Sequence, residues 1–287
     1  MRSQKLAAIE AARKAGYILK SRLGKKRKIG FKGPVNLVTE MDISAEKIII
    51  SEIQKHFPDD SILAEEQTTR ECNSVFRWVI DPLDGTTNYA HGFPVFCVSI
   101  ALTENGETIL GVVFDPTRDE LFLAEKGKGA RLNGRKIKVS SESDLSRSLL
   151  ATGFPYDLRE NSINNFDHFR NFALRAQAVR RAGSAALDLC YVAAGRFDGF
   201  WEMKLAPWDV AAGTLIVSEA GGTVTSFLGK PLGLNGSHVL ATNGKIHKAM
   251  LRIVKMGRFP IKGGGSDQPL RVQDITGTRG KQKKPLV

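Results

Sequence analysis

The pattern of apolar runs changes along the chain, and this change constrains the fold more than any other feature. Within residues 95–124, three apolar runs follow one another with short breaks, and Asn105-Gly106 separates the first two. An Asn-Gly pair between apolar runs favours a tight hairpin, so this stretch predicts an antiparallel meander. Further along, short apolar runs alternate with helical spacings, which is typical of α/β structure. We therefore expect an α+β half at residues 1–140 and an α/β half at residues 141–258.

The composition excludes several classes of protein. Hydrophobic residues make up 42% of the 287 residues and charged residues 25%, which is ordinary for a globular chain. The three cysteines are widely spaced and form no Cys-x-x-Cys pair, which argues against a disulfide framework or a zinc site and fits a reducing cytosol. No apolar stretch has the length of a signal peptide or approaches the roughly 20 residues that span a bilayer. We expect a cytoplasmic protein that does not contact membranes.

The charge of the chain is strongly positive. Its net charge of +12 comes largely from residues 20–32 and from the segment beyond Lys255. A basic balance suits nucleic acid or anionic substrates, but no aromatic residues are interleaved with these cations, as single-strand binding would favour. A solvated basic surface is the simpler interpretation. Residues 259–287 are polar and rich in Gly and Lys, which predicts a disordered basic tail.

Acidic residues stand at the ends of apolar strands and at the starts of helices. Glu65 follows Ile62-Leu63-Ala64, and Asp81 follows Trp78-Val79-Ile80, whereas Asp42 and Asp209 stand where helical patterns begin. Side chains at such positions are rigidly held, and functional groups concentrate there. Asp42 and Asp209 also have an ordinary explanation, because a lone aspartate at a helix start is commonly an N-terminal cap.

The segment from Asp81 to Thr86 has the chemistry of a metal and phosphate site. Hard divalent cations need several oxygen ligands, which Asp81, Asp84 and the Leu83 carbonyl supply compactly. Gly85 allows close approach of the backbone, and a helix that starts at Gly85-Thr86 would offer free N–H groups to a phosphate. Taken alone, the same letters also fit a simple Asp-Pro-Asp-Gly turn.

The chain resembles the inositol monophosphatase family over roughly residues 5–256. The motifs that carry the resemblance occur in the family's order: Leu37-Val38-Thr39-Glu40-Met41-Asp42, Ala64-Glu65-Glu66, Trp78-Val79-Ile80 followed by Asp81 to Tyr89, Pro207-Trp208-Asp209-Val210-Ala211-Ala212-Gly213, and Glu219-Ala220-Gly221-Gly222. The resemblance implies the αβαβα sandwich that this family shares with fructose-1,6-bisphosphatase. It also implies a site between the two halves, to which the second half contributes Asp209.

The resemblance implies a role for each matching position, with two to three Mg²⁺ per site. The first Mg²⁺ would be bound by Glu65, Asp81 and the Leu83 carbonyl, and the second by Asp81, Asp84 and Asp209. A third, weaker Mg²⁺ would be held mainly through water near Glu65. The catalytic residues would be Glu65 and Thr86, which orient the attacking water, and Asp42 beside Thr86. Substrate would contact Asp84, Gly85, Thr86, Gly183, Ser184, Ala185, Glu202 and Asp209. The family often has a lysine in the loop before its first motif. Here Lys32 lies two residues before Pro34, and Asn36 replaces the usual Asp, so Lys32 receives no firm role.

The implied activity is Mg²⁺-dependent hydrolysis of myo-inositol 1-phosphate by a metal-activated water, in a lithium-sensitive homodimer. Fructose 1,6-bisphosphate and a nucleotide 3′-phosphate are alternative substrates of the same chemistry. A binding role is a further alternative, since some bacterial members associate with RNA and the transcription machinery, and Arg180-Arg181 resembles those members. A scaffold with a degenerate site would instead show no stimulation by Mg²⁺. The five histidines are scattered, which argues against a histidine phosphatase.

Overall fold

The computed structural model describes residues 1–25, 29–31, 37–234 and 237–256, and the elements below belong to these ranges. The helices are α1 (Arg2–Arg22), α2 (Glu40–Gln54), α3 (Thr86–Ala90), α4 (Phe166–Ala173), α5 (Ala185–Ala193), α6 (Pro207–Glu219) and α7 (His247–Val254), with a short 3₁₀ turn at Leu145–Arg147. The strands are β1 (Ile29–Phe31), β2 (Leu37–Thr39), β3 (Ser61–Ala64), β4 (Thr69–Arg70), β5 (Phe76–Asp84), β6 (Cys97–Glu104), β7 (Glu107–Asp115), β8 (Glu120–Glu125), β9 (Ala130–Leu132), β10 (Arg135–Lys136), β11 (Leu149–Thr152), β12 (Ala178–Arg180), β13 (Gly199–Glu202), β14 (Thr223–Ser226) and β15 (Val239–Thr242).

The larger sheet contains eight strands in the order β10-β9-β8-β7-β6-β5-β3-β4. The predicted meander is present as β6, β7 and β8, which pair antiparallel. Asn105 and Gly106 turn the first hairpin with φ angles of +49° and +82°, a conformation that Asn and Gly adopt readily. Within this sheet only β3 and β5 pair in parallel, and that pair carries the acidic motifs.

The smaller sheet contains five strands in the order β12-β11-β13-β15-β14. Strand β11 pairs in parallel with both β12 and β13, whereas β15 runs antiparallel to β13 and β14. A separate two-stranded ladder joins β1 and β2. Parallel pairs need crossover connections, which α4 and α5 provide between β11, β12 and β13.

Alternation of side chains along the strands divides the core into three parts. Trp78 and Ile80 pack under α1 and α2, whereas Val79 faces the opposite side of the larger sheet. There α5 and α6 fill the space between the two sheets. Trp201 lies on the outer face of the smaller sheet, beneath α4 and α7. The order of layers is therefore αβαβα, which confirms the predicted sandwich.

The close approach of α6 to the larger sheet and to α5 depends on missing side chains. A Cβ atom on Gly111 of β7 would lie 2.7 Å from the Ala212 carbonyl oxygen, and one on Gly213 would lie 2.7 Å from a Leu189 methyl carbon. Atoms this close would force the backbone apart. These glycines allow α6, which begins with Pro207-Trp208-Asp209, to lie directly between the sheets.

Some element boundaries differ from those that the sequence predicts. The residue spacing predicts a helix at about 162–177, but α4 covers only Phe166–Ala173; the following Ala178–Arg180 pairs with Leu149–Ala151 as the edge strand β12. The spacing likewise predicts a last helix at about 244–256. That helix begins at His247, because Gly244 has φ +82° and Asn243 caps the turn before it.

Two features of the sequence are not described structurally. Lys32 and the segment 259–287, including the predicted disordered tail, lie outside the described residues. None of the helices in the described part of the chain combines the length and the apolar character needed to cross a membrane.

Candidate active site

The parallel pairing of β3 with β5 brings two acidic motifs to one edge of the larger sheet. Ala64 lies beside Ile80, and the Glu65 N–H donates to the Ile80 carbonyl at 3.1 Å. The next residues of the two strands are Glu65 and Asp81, so their side chains leave the sheet at the same edge. The sequence places each acid at a strand end, and the register makes the two acids neighbours.

The Asp-Pro-Leu-Asp segment forms an irregularity at the end of β5. The β5–β6 register shifts between Asp81, which pairs with Ser99, and Asp84, which pairs with Cys97. The Leu83 N–H turns back to the Asp81 Oδ1 at 2.9 Å, and Asp81 is almost fully buried. A proline at this point costs no ladder hydrogen bond, because a bulged residue is already unpaired.

Thr86 and Asp42 form a buried hydrogen-bonded pair. The Thr86 hydroxyl can donate to two oxygens, the Asp42 Oδ1 at 2.9 Å and the Leu83 carbonyl oxygen at 3.0 Å. The Asp42 Oδ2 accepts from the N–H and the hydroxyl of Thr39 at 2.8 and 2.6 Å. Asp42 is therefore the third residue of α2 and closes a capping box with Thr39, while its other oxygen reaches the site.

Asp84 is tied to the start of α5. Its Oδ2 accepts from the Ser184 hydroxyl and from the Ala186 N–H, both at 2.7 Å. Ser184 is the N-terminal cap of α5 and is almost fully buried. Gly183, just before it, has φ +89°, and a side chain there would meet the Asn88 amide group at 3.0 Å. The Asn88 amide itself donates to the Val95 and Ala182 carbonyls, which joins α3 to this turn.

Asp209 and Glu202 come from the other side of the site. Asp209 is the third residue of α6, and its Oδ2 accepts from the Ala206 N–H at 2.7 Å. Glu202 ends β13, and its carboxylate packs on Gly153 at the end of β11 so closely that a Cβ atom there would overlap it.

A cavity joins most of these groups. Seven of the residues predicted from the sequence line it, namely Asp84, Gly85, Gly183, Ser184, Ala185, Glu202 and Asp209. The remaining predicted residues do not line the cavity. They are Asp42, Glu65, Asp81, Leu83 and Thr86. They lie in the turn that leads to Asp84 and in the elements bonded to that turn.

Burial and neighbouring carboxylates raise the pKa values of Asp81 and Asp84. Burial, followed by the charges of Glu65, Asp84 and Asp209, raises the pKa of Asp81 well above its ordinary value. Burial raises the pKa of Asp84 to about 6, although hydrogen bonds from Ser184 and Ala186 oppose the shift. These four acids are therefore close enough to interact strongly without a cation between them.

Burial raises two further pKa values at the site. That of Asp42 is raised by burial against the opposing hydrogen bonds of Thr39 and Thr86. That of Glu202 is raised to about 8 by burial and by Asp209 and Asp84. Such shifts concentrate at functional sites, because a bound cation can offset the unfavourable burial of charge.

The donor set fits a hard divalent cation. All the candidate ligands are oxygens, from four carboxylates and one backbone carbonyl, with no sulfur or imidazole among them. Across the described residues, no group of three or more His, Cys, Asp or Glu side chains has the spacing of a ready-made metal cage.

Asp188 is a cavity residue that the sequence did not identify. It lies on α5, is almost fully buried, and its Oδ1 has no hydrogen-bond partner. Burial, followed by Glu202 and Asp84, raises its pKa well above the ordinary value, and Arg181 opposes the shift. The only available signal was one acid inside the apolar sequence of α5, Ala185–Ala193.

Comparison with known proteins gives the same family over the whole described fold. The sequence profile of the inositol monophosphatase family matches residues 2–256. An inositol-1-monophosphatase from Synechocystis sp. is 49% identical over 245 residues, which cover 85% of each chain. A Pseudomonas aeruginosa protein called Nus factor SuhB is 44% identical over 257 residues, 86% of this chain and 94% of that one.

A solved structure has the same fold. The inositol monophosphatase from Anabaena (Nostoc) sp. superposes with a TM-score of 0.81 at 46% identity, covering 88% of this chain and 96% of that one. The five layers, the cavity lined by acids and these matches lead to one conclusion. The chain belongs to the inositol monophosphatase family of metal-dependent phosphatases.

Proposed function

We propose that this protein hydrolyses myo-inositol 1-phosphate to inositol and phosphate with Mg²⁺ as its metal. The observation that carries the proposal is the cavity that Glu202 lines together with the Asp84 and Asp209 carboxylates. A carboxylate separate from the metal ligands suits a polyol, because it can accept hydrogen bonds from ring hydroxyls. The names of the Synechocystis and Anabaena relatives support the same substrate.

The residues that would hold Mg²⁺ are those with oxygen donors at the sheet edge. In this proposal two to three ions bind, the first two to Glu65, Asp81, the Leu83 carbonyl, Asp84 and Asp209. Bound Mg²⁺ supplies Lewis acidity toward the phosphate dianion and toward the attacking water. The protein's part is to hold these oxygens rigidly, and the hydrogen bonds to the Asp84 Oδ2 do so for one of them.

Thr86, Asp42 and Glu65 would orient the attacking water. The Thr86 hydroxyl donates toward Asp42 and the Leu83 carbonyl, so its lone pairs accept a hydrogen bond from water. A proton lost by the water during attack on phosphorus can pass to Thr86 while Thr86 passes its own to Asp42. Asp42 suits this role because burial raises its pKa. No serine, cysteine or histidine nucleophile is needed, because water itself forms the new P–O bond. As the bond from phosphorus to the inositol oxygen breaks, that oxygen takes up a proton from solvent.

Substrate contacts would come from both ends of the cavity. Gly85 and Thr86 would offer backbone N–H groups to the phosphate, and Glu202 would bind the ring. The Ser184 side chain is already bonded to Asp84, so Gly183, Ser184 and Ala185 would contact the substrate mainly through their backbone.

A substrate panel tests the proposal. Rates with myo-inositol 1-phosphate, fructose 1,6-bisphosphate and a nucleotide 3′-phosphate are measured during a Mg²⁺ titration, with and without Li⁺. We expect the inositol ester to be hydrolysed fastest, with Mg²⁺ dependence and inhibition by Li⁺. Much faster hydrolysis of either alternative would overturn the choice of substrate. Full activity in both Asp84→Asn and Asp209→Asn would overturn the metal assignment.

The assembly and location of the protein are also proposals. We propose a cytoplasmic homodimer, on the strength of the family resemblance and the free cysteines, which suit a reducing compartment. Sedimentation of the full chain at micromolar concentration measures its mass directly, and a monomer would contradict the dimer.

A second role in RNA binding is favoured by one relative's name and by charge. That relative, 44% identical, is called Nus factor SuhB, and this chain has a net charge of +12 with Arg180 and Arg181 exposed. We expect RNA binding that weakens as salt rises and that persists in Asp84→Asn, which loses phosphatase activity. Absence of salt-dependent binding in the unaltered protein would remove this candidate.

A further inference from the structure

Glu46 is a buried glutamate on α2 that contacts the loop after Glu65. The residue is 2% exposed. Its Oε2 accepts from the Glu66 N–H at 2.9 Å. Its Oε1 accepts from the Gln67 N–H at 3.1 Å and from the Thr68 hydroxyl at 2.9 Å. One carboxylate therefore binds three consecutive residues of the loop.

Apolar packing does not explain why the Glu46 carboxylate is buried. Ala45, Ile49 and Ile53 on the same helix are fully buried and belong to the core beneath the larger sheet. Burying a carboxylate among such residues is unfavourable unless hydrogen bonds compensate. Three donors do so here, and bonds of this kind to an ionised group are about twice as strong as neutral ones.

The loop that Glu46 binds is the one that presents Glu65. On the N-terminal side, the Glu65 N–H is fixed to the Ile80 carbonyl. The loop closes where the Ala64 N–H donates to the Thr68 carbonyl at 3.0 Å. Beyond Glu65, the backbone is held by Glu46. The Glu65 backbone is thus fixed on both sides, by β5 and by α2.

The same helix also carries Asp42, one turn before Glu46. Residues four apart lie on one face of a helix, and both side chains are buried. Asp42 holds the Thr86 hydroxyl, and Glu46 holds the loop of Glu65. Helix α2 therefore connects the two groups that would orient the attacking water.

We propose that Glu46 is a positioning residue that sets the orientation of Glu65 and thereby the Mg²⁺ affinity of the site. The proposal rests on the proposed function, because it takes Glu65 as a metal ligand. Glu46 does not line the cavity and is not one of the proposed metal ligands. A purely structural Glu46 would stabilise the fold without affecting metal binding.

The test compares Glu46→Gln with Glu52→Gln. Glu52 is a matched control, because it lies on α2, is similarly buried and binds Lys14 and Lys55 rather than the loop. Glutamine keeps the shape of glutamate but places an amide donor against one of the loop donors. Three readouts are needed: hydrogen exchange of the Glu66 and Gln67 amides in metal-free protein, Mg²⁺ affinity by calorimetry, and kcat and KM across a Mg²⁺ titration.

In Glu46→Gln we expect faster exchange of both amides and Mg²⁺ affinity weaker by about tenfold, the usual effect of losing a residue that orients a ligand. Activity at low Mg²⁺ falls, excess Mg²⁺ restores most of it, and KM at saturating Mg²⁺ stays unchanged. Glu52→Gln shows none of these changes. Faster amide exchange with unchanged Mg²⁺ affinity would overturn the proposal and leave Glu46 a structural residue only.

Three further outcomes remain decisive. If Glu46→Gln does not fold, Thr68→Val removes one of the three bonds and should give a smaller change of the same kind. If the unaltered protein hydrolyses no phosphate ester, the proposed function fails, while amide exchange and calorimetry still decide whether Glu46 controls Mg²⁺ binding. If the unaltered protein binds no Mg²⁺, the inference fails with the metal assignment.

Discussion

At the scale of single residues, two carboxylates of the candidate site also cap the N-terminal ends of helices. Asp42 binds the Thr39 N–H through one oxygen and Thr86 through the other. Asp209 accepts from the Ala206 N–H in the same way. A carboxylate that caps a helix is held in one orientation by the helix itself. Capping and the proposed catalytic role, which the sequence presents as alternatives, are thus compatible in one side chain at Asp42.

Replacing the Thr86 hydroxyl tests the proton relay. Thr86→Val keeps the shape but leaves the Asp42 Oδ1 without its donor. We expect kcat to fall by about 10²-fold or more and the free energy of unfolding to fall by about 1–2 kcal/mol. Mg²⁺ affinity should change little, whereas Thr86→Ser retains most of kcat. Steady-state kinetics, calorimetry and urea unfolding measure these quantities, and a Thr86→Val enzyme with unaltered kcat would contradict the relay.

Glu202 makes stability depend on pH. Its folded-state pKa of about 8 lies above the ordinary value of 4.5. Ionising it therefore costs more in the folded state, and the cost grows as pH rises from 4.5 through 8. In metal-free protein we expect Glu202→Gln to match the unaltered protein near pH 5. At pH 9 it should be more stable by a few kcal/mol, since one pKa unit corresponds to about 1.4 kcal/mol.

Thermal unfolding at several pH values in EDTA measures this gap in stability between Glu202→Gln and the unaltered protein. Glu104→Gln is the control, because Glu104 is exposed. Added Mg²⁺ should narrow the gap, because a nearby cation lowers the pKa of Glu202. A gap that is constant with pH, or that shrinks as pH rises, would show that Glu202 is ionised without cost. Glu202→Gln should also raise KM for the inositol ester, because the ring loses its charged partner.

At the scale of elements, the positions of strand ends determine which groups meet. β11 and β13 run in parallel and end at Thr152 and Glu202, so Gly153 lies against the Glu202 carboxylate. The sequence indicates both strands but not their pairing. It also does not show that 178–180 forms the edge strand β12, because three residues carry too little pattern to outweigh a neighbouring helix.

Gly153→Ala tests the fit between these strand ends. A methyl group at this position would overlap the Glu202 carboxylate, which must move out of its place in the cavity. We expect kcat/KM for the inositol ester to fall by about tenfold or more, as a displaced substrate contact allows. Gly233→Ala is the control, because Gly233 has open space around it. Equal kinetics in the two variants would show that the position of Glu202 does not matter.

At the scale of the whole molecule, the site depends on three of the five layers. The larger sheet provides Asp81 and Asp84, and the layer between the sheets provides Asp209 and the start of α5. The smaller sheet provides Glu202. We propose that the halves 1–140 and 141–258 act as two units that meet at the middle layer.

The sequence predicts those parts of the site whose residues are close together along the chain. The segment Asp81–Thr86 lies within one turn, so its shared role is readable from adjacent letters. Glu65 beside Asp81 depends on a parallel register that those letters do not encode. Glu46 lies in an amphipathic helical pattern, where a single acid is indistinguishable from a surface charge, whereas Asp188 stands out only as one acid in the apolar α5. Their burial comes from packing between layers, which appears only in the folded chain.

Since the residues that we propose as metal ligands come from separate layers, Mg²⁺ should stabilise the whole fold. In metal-free protein the carboxylates repel one another, so Asp209→Asn should unfold at a higher temperature than the unaltered protein in EDTA. Adding Mg²⁺ to 100 times its Kd should stabilise the unaltered protein by about 2.7 kcal/mol. In Asp209→Asn most of that gain should be lost, because one ligand of the set is gone. Scanning calorimetry with EDTA and with Mg²⁺ measures both effects, with Asp167→Asn, on the outer helix α4, as the control. Equal stabilisation of Asp209→Asn and the unaltered protein by Mg²⁺ would place the metal away from the middle layer.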